Sequence, residues 1–245
     1  MNEENKLQMK KSGFTLVELL TAIVIGLVIM AAIYGAMIMA QNTSANLGRK
    51  TVTQQDTRAV LDFMASEIRM ASLSKKALQS TWNTFACGLV NPLNKGIQVA
   101  TPTTLAVAMD LNNDGQIGVC TCGACCGPPN SCTNPICAGT NEFIIYSYNN
   151  VDSITREVGC GGPAPAILGG TAPDSNVRNT VAIPLFQYFD RNDLPLPAPV
   201  NIPFIRRIKI TIVSETAQND INTGQPRTMI HSTDVIVRNH AILHR

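Results

Sequence analysis

The chain has 245 residues, 45% of them hydrophobic and 15% charged, and a formal net charge of +2. That length holds one or two domains. The near-neutral balance, with no basic stripe interleaved with aromatics, excludes a nucleic-acid-binding signature.

Residues 1–13 read as a leader outside the fold, carrying Lys6, Lys10 and Lys11 against Glu3 and Glu4. From Phe14 to Ala40 the only charged residue is Glu18. A helix of that length spans about 40 Å, more than a bilayer core of about 30 Å needs. The region from about 14 to 40 is therefore expected to cross a membrane, with the basic leader on the cytoplasmic side and the rest exported. Small residues recur at four-residue spacings, Ala22 with Gly26, Ala31 with Gly35, and Ala32 with Ala36 and Ala40. Such spacing lets helices approach closely.

Glu18 is the odd feature of this run. A carboxylate inside a spanning helix costs on the order of 2.5–3.5 kcal/mol on insertion scales, so it marks a functional site. A cut after Gly13 would give Phe14 a free α-ammonium four residues before Glu18, on the same helix face. That amine could pair with Glu18 of its own chain or of a neighbour.

Lys10-Lys11-Ser12-Gly13 followed by Phe14-Thr15-Leu16-Val17-Glu18-Leu19-Leu20 resembles the class III signal of type IV pilins and pseudopilins. The resemblance implies cleavage after Gly13 by prepilin peptidase and N-methylation of Phe14. It also implies that Glu18, the fifth mature residue, guides subunit assembly. An ordinary secretory peptide has a shorter apolar core that ends at a small-residue cleavage site.

No proline interrupts the chain between Phe14 and Asn91. Val52, Ala59 or Val60, Phe63 or Met64, and Ile68 with Ala71 recur near a helical period. One helix is predicted over about 14–77, with Gly48 as its weak point and an apolar stripe on its second half. Gln54 to Met64, then Glu67-Ile68-Arg69-Met70-Ala71, is similar to the PilW family of minor pilins. Asp110 to Gly115, Ile144-Ile145-Tyr146, Thr155-Arg156 and Val237-Arg238-Asn239 follow that family's pattern in order. The resemblance implies a non-enzymatic structural or priming subunit. It would sit in the inner membrane with a periplasmic head and then join a pilus fibre or tip. Implied partners are other major and minor pilin subunits, prepilin peptidase, the inner-membrane assembly platform and the membrane itself. The closest alternative is a type II secretion pseudopilin of the J type.

The exported part, 78–245, reads as strands and loops. Thr104 to Leu111 is an apolar run ending in a turn. Glu142 to Tyr148 and Ser153 to Val158 flank Asn149-Asn150-Val151-Asp152, a hairpin signal. Gly161 to Pro173 reads as loop, and Val181 to Phe189 as a strand with a defect at Pro184. Leu194 to Pro203 carries four prolines and reads as irregular. Ile205 to Val213 alternates, with Ile208, Ile210 and Ile212 on one face, and Thr228 to Val237 is expected to pair with it. The fold class is α+β: a long N-terminal helix packed on an antiparallel β-sheet head with a cysteine-rich loop at about 120–137.

All eight cysteines lie in the exported part: Cys87, Cys120, Cys122, Cys125, Cys126, Cys132, Cys137 and Cys160. In an oxidising compartment an even set reads as disulfides, with on the order of a hundred complete pairings. Cys125 and Cys126 are too close to bridge each other, at about 3.8 Å between Cα atoms. Thiolates at this density could also hold zinc or an iron–sulfur cluster. That is the rival of another class, a membrane-tethered metal or redox module. Asp110-x-Asn112-x-Asp114-Gly115 matches the opening of a calcium loop, but Thr121 stands where an EF-hand has its bidentate Glu. Calcium is thus a candidate ligand and no cofactor is required. His231, His240 and His244 are C-terminal and are expected on a solvated terminus rather than at a metal.

Overall fold

The computed structural model describes residues 13–74, 91–111, 142–159, 163–170 and 175–243. The chain divides into two compact units, Met1–Leu47 and Gly48–Arg245. Helix α1, Leu16–Arg69, is unbroken over its 54 residues, Gly48 included. A Cβ at Gly48 would meet nothing within 4 Å, so neighbours place no demand on that position. In the first unit the large apolar side chains from Leu16 to Met39 are exposed. The helix holds an 18-residue window of mean hydropathy 2.7 and is long and apolar enough to cross a membrane.

The helix stops at Arg69, short of the expected 77. Its last turn tightens through Met70 N–H to Glu67 O (3.0 Å) and Ala71 N–H to Ile68 O (3.1 Å). Ser72 then enters the left-handed region at φ 64° and turns the chain away. Three-residue bonds of this kind commonly satisfy the last carbonyls of a helix.

Among the described residues of the second unit, nine strands form two antiparallel sheets. The first runs in chain order: β1 Ile97–Ala100, β2 Thr104–Ala108, β3 Phe143–Tyr148, β4 Ser153–Val158 and β5 Ala166–Gly169. The β3–β4 hairpin is as expected. Asn149 Oδ1 closes it by accepting from the N–H groups of Val151, Asp152 and Ser153 at 2.9–3.0 Å. β5 lies inside the stretch read as loop. Its pairing with β4, Ser153 opposite Gly169 and Ile154 opposite Leu168, makes it a strand despite its Gly, Pro and Ala composition.

The second sheet is built on β8, Arg207–Thr216. β9, Thr228–Ile236, pairs along one edge of it in register from Arg207–Ile236 to Glu215–Thr228. β6, Ser175–Val177, and β7, Phe186–Phe189, share the other edge. β7 begins only after Pro184, which has no N–H for a ladder. The short helix α2, Arg238–Leu243, follows β9. Val177 N–H donates to Asp152 O (2.8 Å) and Phe186 N–H to Pro102 O (3.0 Å), stitching the two sheets together.

One apolar core joins α1 to both sheets. It contains Leu61, Met64, Ala65 and Ile68 of the helix and Ala71 just past it, with Ile97, Leu105, Val107, Ile144, Ile154, Phe186, Ile208, Ile210, Ile212 and Val235. The buried helix face continues through Thr57 and Thr53, whereas Val52 and Phe63 are exposed. The stripe expected from apolar residues alone is therefore displaced. Thr57 Oγ1 donates to Thr53 O (2.7 Å) and Thr53 Oγ1 to Arg49 O (3.1 Å). With its hydroxyl satisfied by the preceding turn, each threonine packs as a methyl group.

Candidate assembly and anchoring site

Gly13, Phe14 and Thr15 precede the first helical residue and are exposed. The Gly13–Phe14 bond thus lies in non-helical backbone, and a Cβ at Gly13 would meet nothing within 4 Å. Thr15 stands at the N-cap of α1 and Glu18 three residues on. Glu18 N–H donates to Thr15 Oγ1 (3.3 Å), while Thr15 N–H donates to Glu18 Oε2 (3.2 Å). The Thr15 hydroxyl also donates to Oε2 (3.3 Å). This is a reciprocal capping box, in which two orphan N–H groups of the helix start are satisfied by side chains. The carboxylate also sits at the positive end of the helix dipole. Glu18 is therefore held against its own first turn, and Oε1 has no hydrogen-bond partner among the described residues.

Within the second unit, the last turns of α1 are fastened to the first sheet by a polar contact. Arg156 on β4 donates to Glu67 through Nε to Oε2 (3.0 Å) and through its terminal nitrogen to Oε1 (2.6 Å). Tyr146 on β3 donates its hydroxyl to the same Oε2. Arg156 also lies 5.2 Å from the centre of the Phe63 ring. Burial first, then the Glu67 carboxylate, pushes the Tyr146 pKa up and keeps it protonated. The hydrogen bond to Glu67 likewise raises the Arg156 pKa. The register Tyr146 opposite Arg156 places both donors side by side on one face of the hairpin.

A second polar joint follows the helix. His240 on α2 is fully buried rather than solvated as expected. Its Nε2 lies 3.0 Å from Ile202 O, which can only accept, so Nε2 carries the proton. Nδ1 then accepts from the Ser72 hydroxyl at 3.1 Å. Ser72 Oγ in turn accepts from Gly96 N–H (3.1 Å), and Ser72 N–H donates to Ala108 O (2.9 Å). His231 lies on β9 and His244 outside the described residues.

Asp110 is buried just past β2, its Oδ2 3.5 Å from Ser74 Oγ. Its expected calcium companions Asn112 and Asp114, and all eight cysteines, lie outside the described residues. Among the described residues no three His, Cys, Asp or Glu side chains are grouped to hold a metal. Thr15 carries a local sequence signal, Thr-x-x-Glu directly before an apolar run, that spacing of charges alone does not reveal. The joining of Glu67 with Tyr146 and Arg156 has no local signal, since they stand 79 and 89 positions apart.

Fold and site together define a chain whose capped, exposed N-terminal helix is long enough to span a membrane and whose later turns pack on antiparallel sheets. Residues 8–34 match the family described as the prokaryotic N-terminal methylation motif. That stretch contains Gly13, Phe14, Thr15 and Glu18. Among solved structures, a type IV-like pilin from Thermus thermophilus is similar, at 10% identity and a TM-score of 0.40 over 77% of this chain and 98% of that one. No curated protein matches.

Proposed function

We propose that this chain is a minor type IV pilin of the PilW type, a structural or priming subunit rather than an enzyme. In this reading prepilin peptidase cuts after Gly13, Phe14 is N-methylated, and α1 holds the subunit in the inner membrane with its head in the periplasm. Assembly then moves the helix from lipid into a bundle of neighbouring helices, where Glu18 pairs with the Phe14 ammonium of an adjacent subunit. The observation that carries the reading is the methylation motif over residues 8–34, opening a helix whose apolar stretch to Ala40 holds a single carboxylate, Glu18. Its exposed, non-helical Gly13–Phe14 bond gives a protease access. The PilW assignment draws support from Glu67, Tyr146 and Arg156, all within the stretches that resemble that family, meeting in one contact.

Mass spectrometry of the membrane fraction tests the processing step. The expected mature chain starts at methylated Phe14. A chain that keeps Met1, or one cut beyond Ala40, would remove the pilin reading. Crosslinked partners in the same membranes separate a pilus subunit from a J-type secretion pseudopilin.

A further inference from the structure

We propose that the free edge of β9 takes up an extended strand from a different pilin subunit. The inference rests on the reading of this chain as a pilus subunit. In β8, Thr211 N–H donates to Leu185 O (2.9 Å) and Val213 O accepts from Arg178 N–H (2.8 Å), so both bond away from β9. Thr216 N–H donates the other way, to Arg227 O (3.0 Å). Bonding direction alternates along an antiparallel strand. By the register, Met229, His231, Thr233 and Val235 therefore bond to β8. The N–H and C=O groups of Thr228, Ile230, Ser232, Asp234 and Ile236 point outward, and none has a backbone partner among the described residues. The other sheet edges are broken or covered. β1 bulges between Ile97 and Val99, β5 and β6 lie against each other, and Tyr188 O of β7 accepts from Leu196 N–H at 2.9 Å. β9 keeps a continuous register over nine residues without proline, glycine or lysine. Its one acidic side chain, Asp234, is paired with Arg207. Bulges, prolines and bare charges are the usual guards of such an edge. Ile230 and Ile236 stand exposed beside the row, which suits a strand with apolar residues at alternate positions. A two-fold axis that pairs two β9 edges antiparallel runs through the sheet and reverses the helix packed on it. Copies anchored by α1 in one membrane share one direction, so the strand comes from a different subunit.

The test uses the full chain in its own membranes, with a photoreactive phenylalanine analogue in place of Ser232 or, as a control, of the fully exposed Val181. Adducts are identified by mass, and the same spectra report whether the chain starts at Phe14. The expected adduct joins position 232 to an extended segment of another pilin subunit, and position 181 gives no such adduct. With the analogue moved to position 236, two variants probe the row. Ser232→Pro removes an outward N–H and no bond to β8. It is expected to lower the adduct about fivefold, the equilibrium factor of one typical hydrogen bond. Ile230→Lys sets a charge beside the row and is expected to lower it as well. Protease resistance equal to wild type shows that a variant folds, and Ile230→Lys decides alone if Ser232→Pro does not. A chain that starts at Phe14 but gives no adduct at 232, or the same adduct from 181, overturns this inference and leaves the pilin reading standing. An adduct to a second copy of this chain, or folded variants that crosslink as wild type, also overturns it. A chain that keeps Met1 removes the pilin reading and this inference with it.

Discussion

Replacing Arg156 with Met should be among the most damaging single changes to the second unit. The side chains of Arg156 and Glu67 are only 20% and 11% exposed, so the pair is largely out of water. Met keeps the length of the arginine stem but leaves Glu67 with the Tyr146 hydroxyl as its one remaining donor in this contact. Removing one partner of a buried pair costs about 3–5 kcal/mol, because the other charge stays buried without compensation. The lost contact with the Phe63 ring adds about 0.5–1 kcal/mol. For a unit of 150–250 residues, 1 kcal/mol moves Tm by about 2–4 °C, so a fall of roughly 7–24 °C is expected. Urea and thermal unfolding of the unit from Gly48 onward measure it. The triple variant Glu67→Met, Tyr146→Phe, Arg156→Met carries the control. With every polar partner gone, stability should return to within about 2 kcal/mol of wild type, as buried pairs replaced by apolar groups often do. A single variant that loses less than about 1 kcal/mol, the range of exposed pairs, would refute the burial argument. So would a triple variant no better than the single one.

Gly96→Ala should destabilise the same unit by at least the roughly 1–3 kcal/mol of an overpacked core, since its Cβ would fall 2.1 Å from Ser72 N and 2.3 Å from Ser72 Cα; unchanged urea unfolding would contradict it. His231 has its pKa lowered, by burial first and then by the Arg58 charge, and its Nε2 has no hydrogen-bond partner among the described residues. Below about pH 6.5 the unfolded chain takes up that proton first, so stability should be full above that pH and fall as pH drops towards the folded value. His231→Gln should flatten this part of the pH–stability curve, and an unaltered slope would show that other groups set it. If the cysteines are bridged as expected, reductant should lower Tm by several degrees, since each bridge of this kind contributes about 2–4 kcal/mol; a full count of free thiols in the oxidised protein would exclude bridges.

The parts of the fold legible in the sequence are those whose signal is long or local. Fifty-four helical residues without a proline, the Asn149–Asp152 turn, and the alternation around Ile208, Ile210 and Ile212 each carry their own evidence. β5 and β6, at four and three residues, have no pattern of their own and exist through pairing with β4 and β8. α2 is six residues long, too short to be stable without tertiary contacts, and His240 supplies a buried anchor. Thr53 and Thr57 hide the true helix face because a polar residue type fills buried positions. At the helix start, Gly13, Phe14 and Glu18 stand out through the family resemblance, and Thr15 through the capping pattern. The Glu67 contact arises only when the hairpin brings Tyr146 and Arg156 to the helix.

The His240 imidazole joins Ser72, just past the end of α1 and 168 positions earlier, to the Ile202 carbonyl, 38 positions earlier. Both contacts of the imidazole therefore require residue 240 to be in place. A chain released before Arg238 would leave Ser72 Oγ and the Ile202 carbonyl without the imidazole that joins them. Contacts of such long separation form late, because loop closure must precede them. One buried side chain thus ties two distant parts of the second unit to the turn that follows α1.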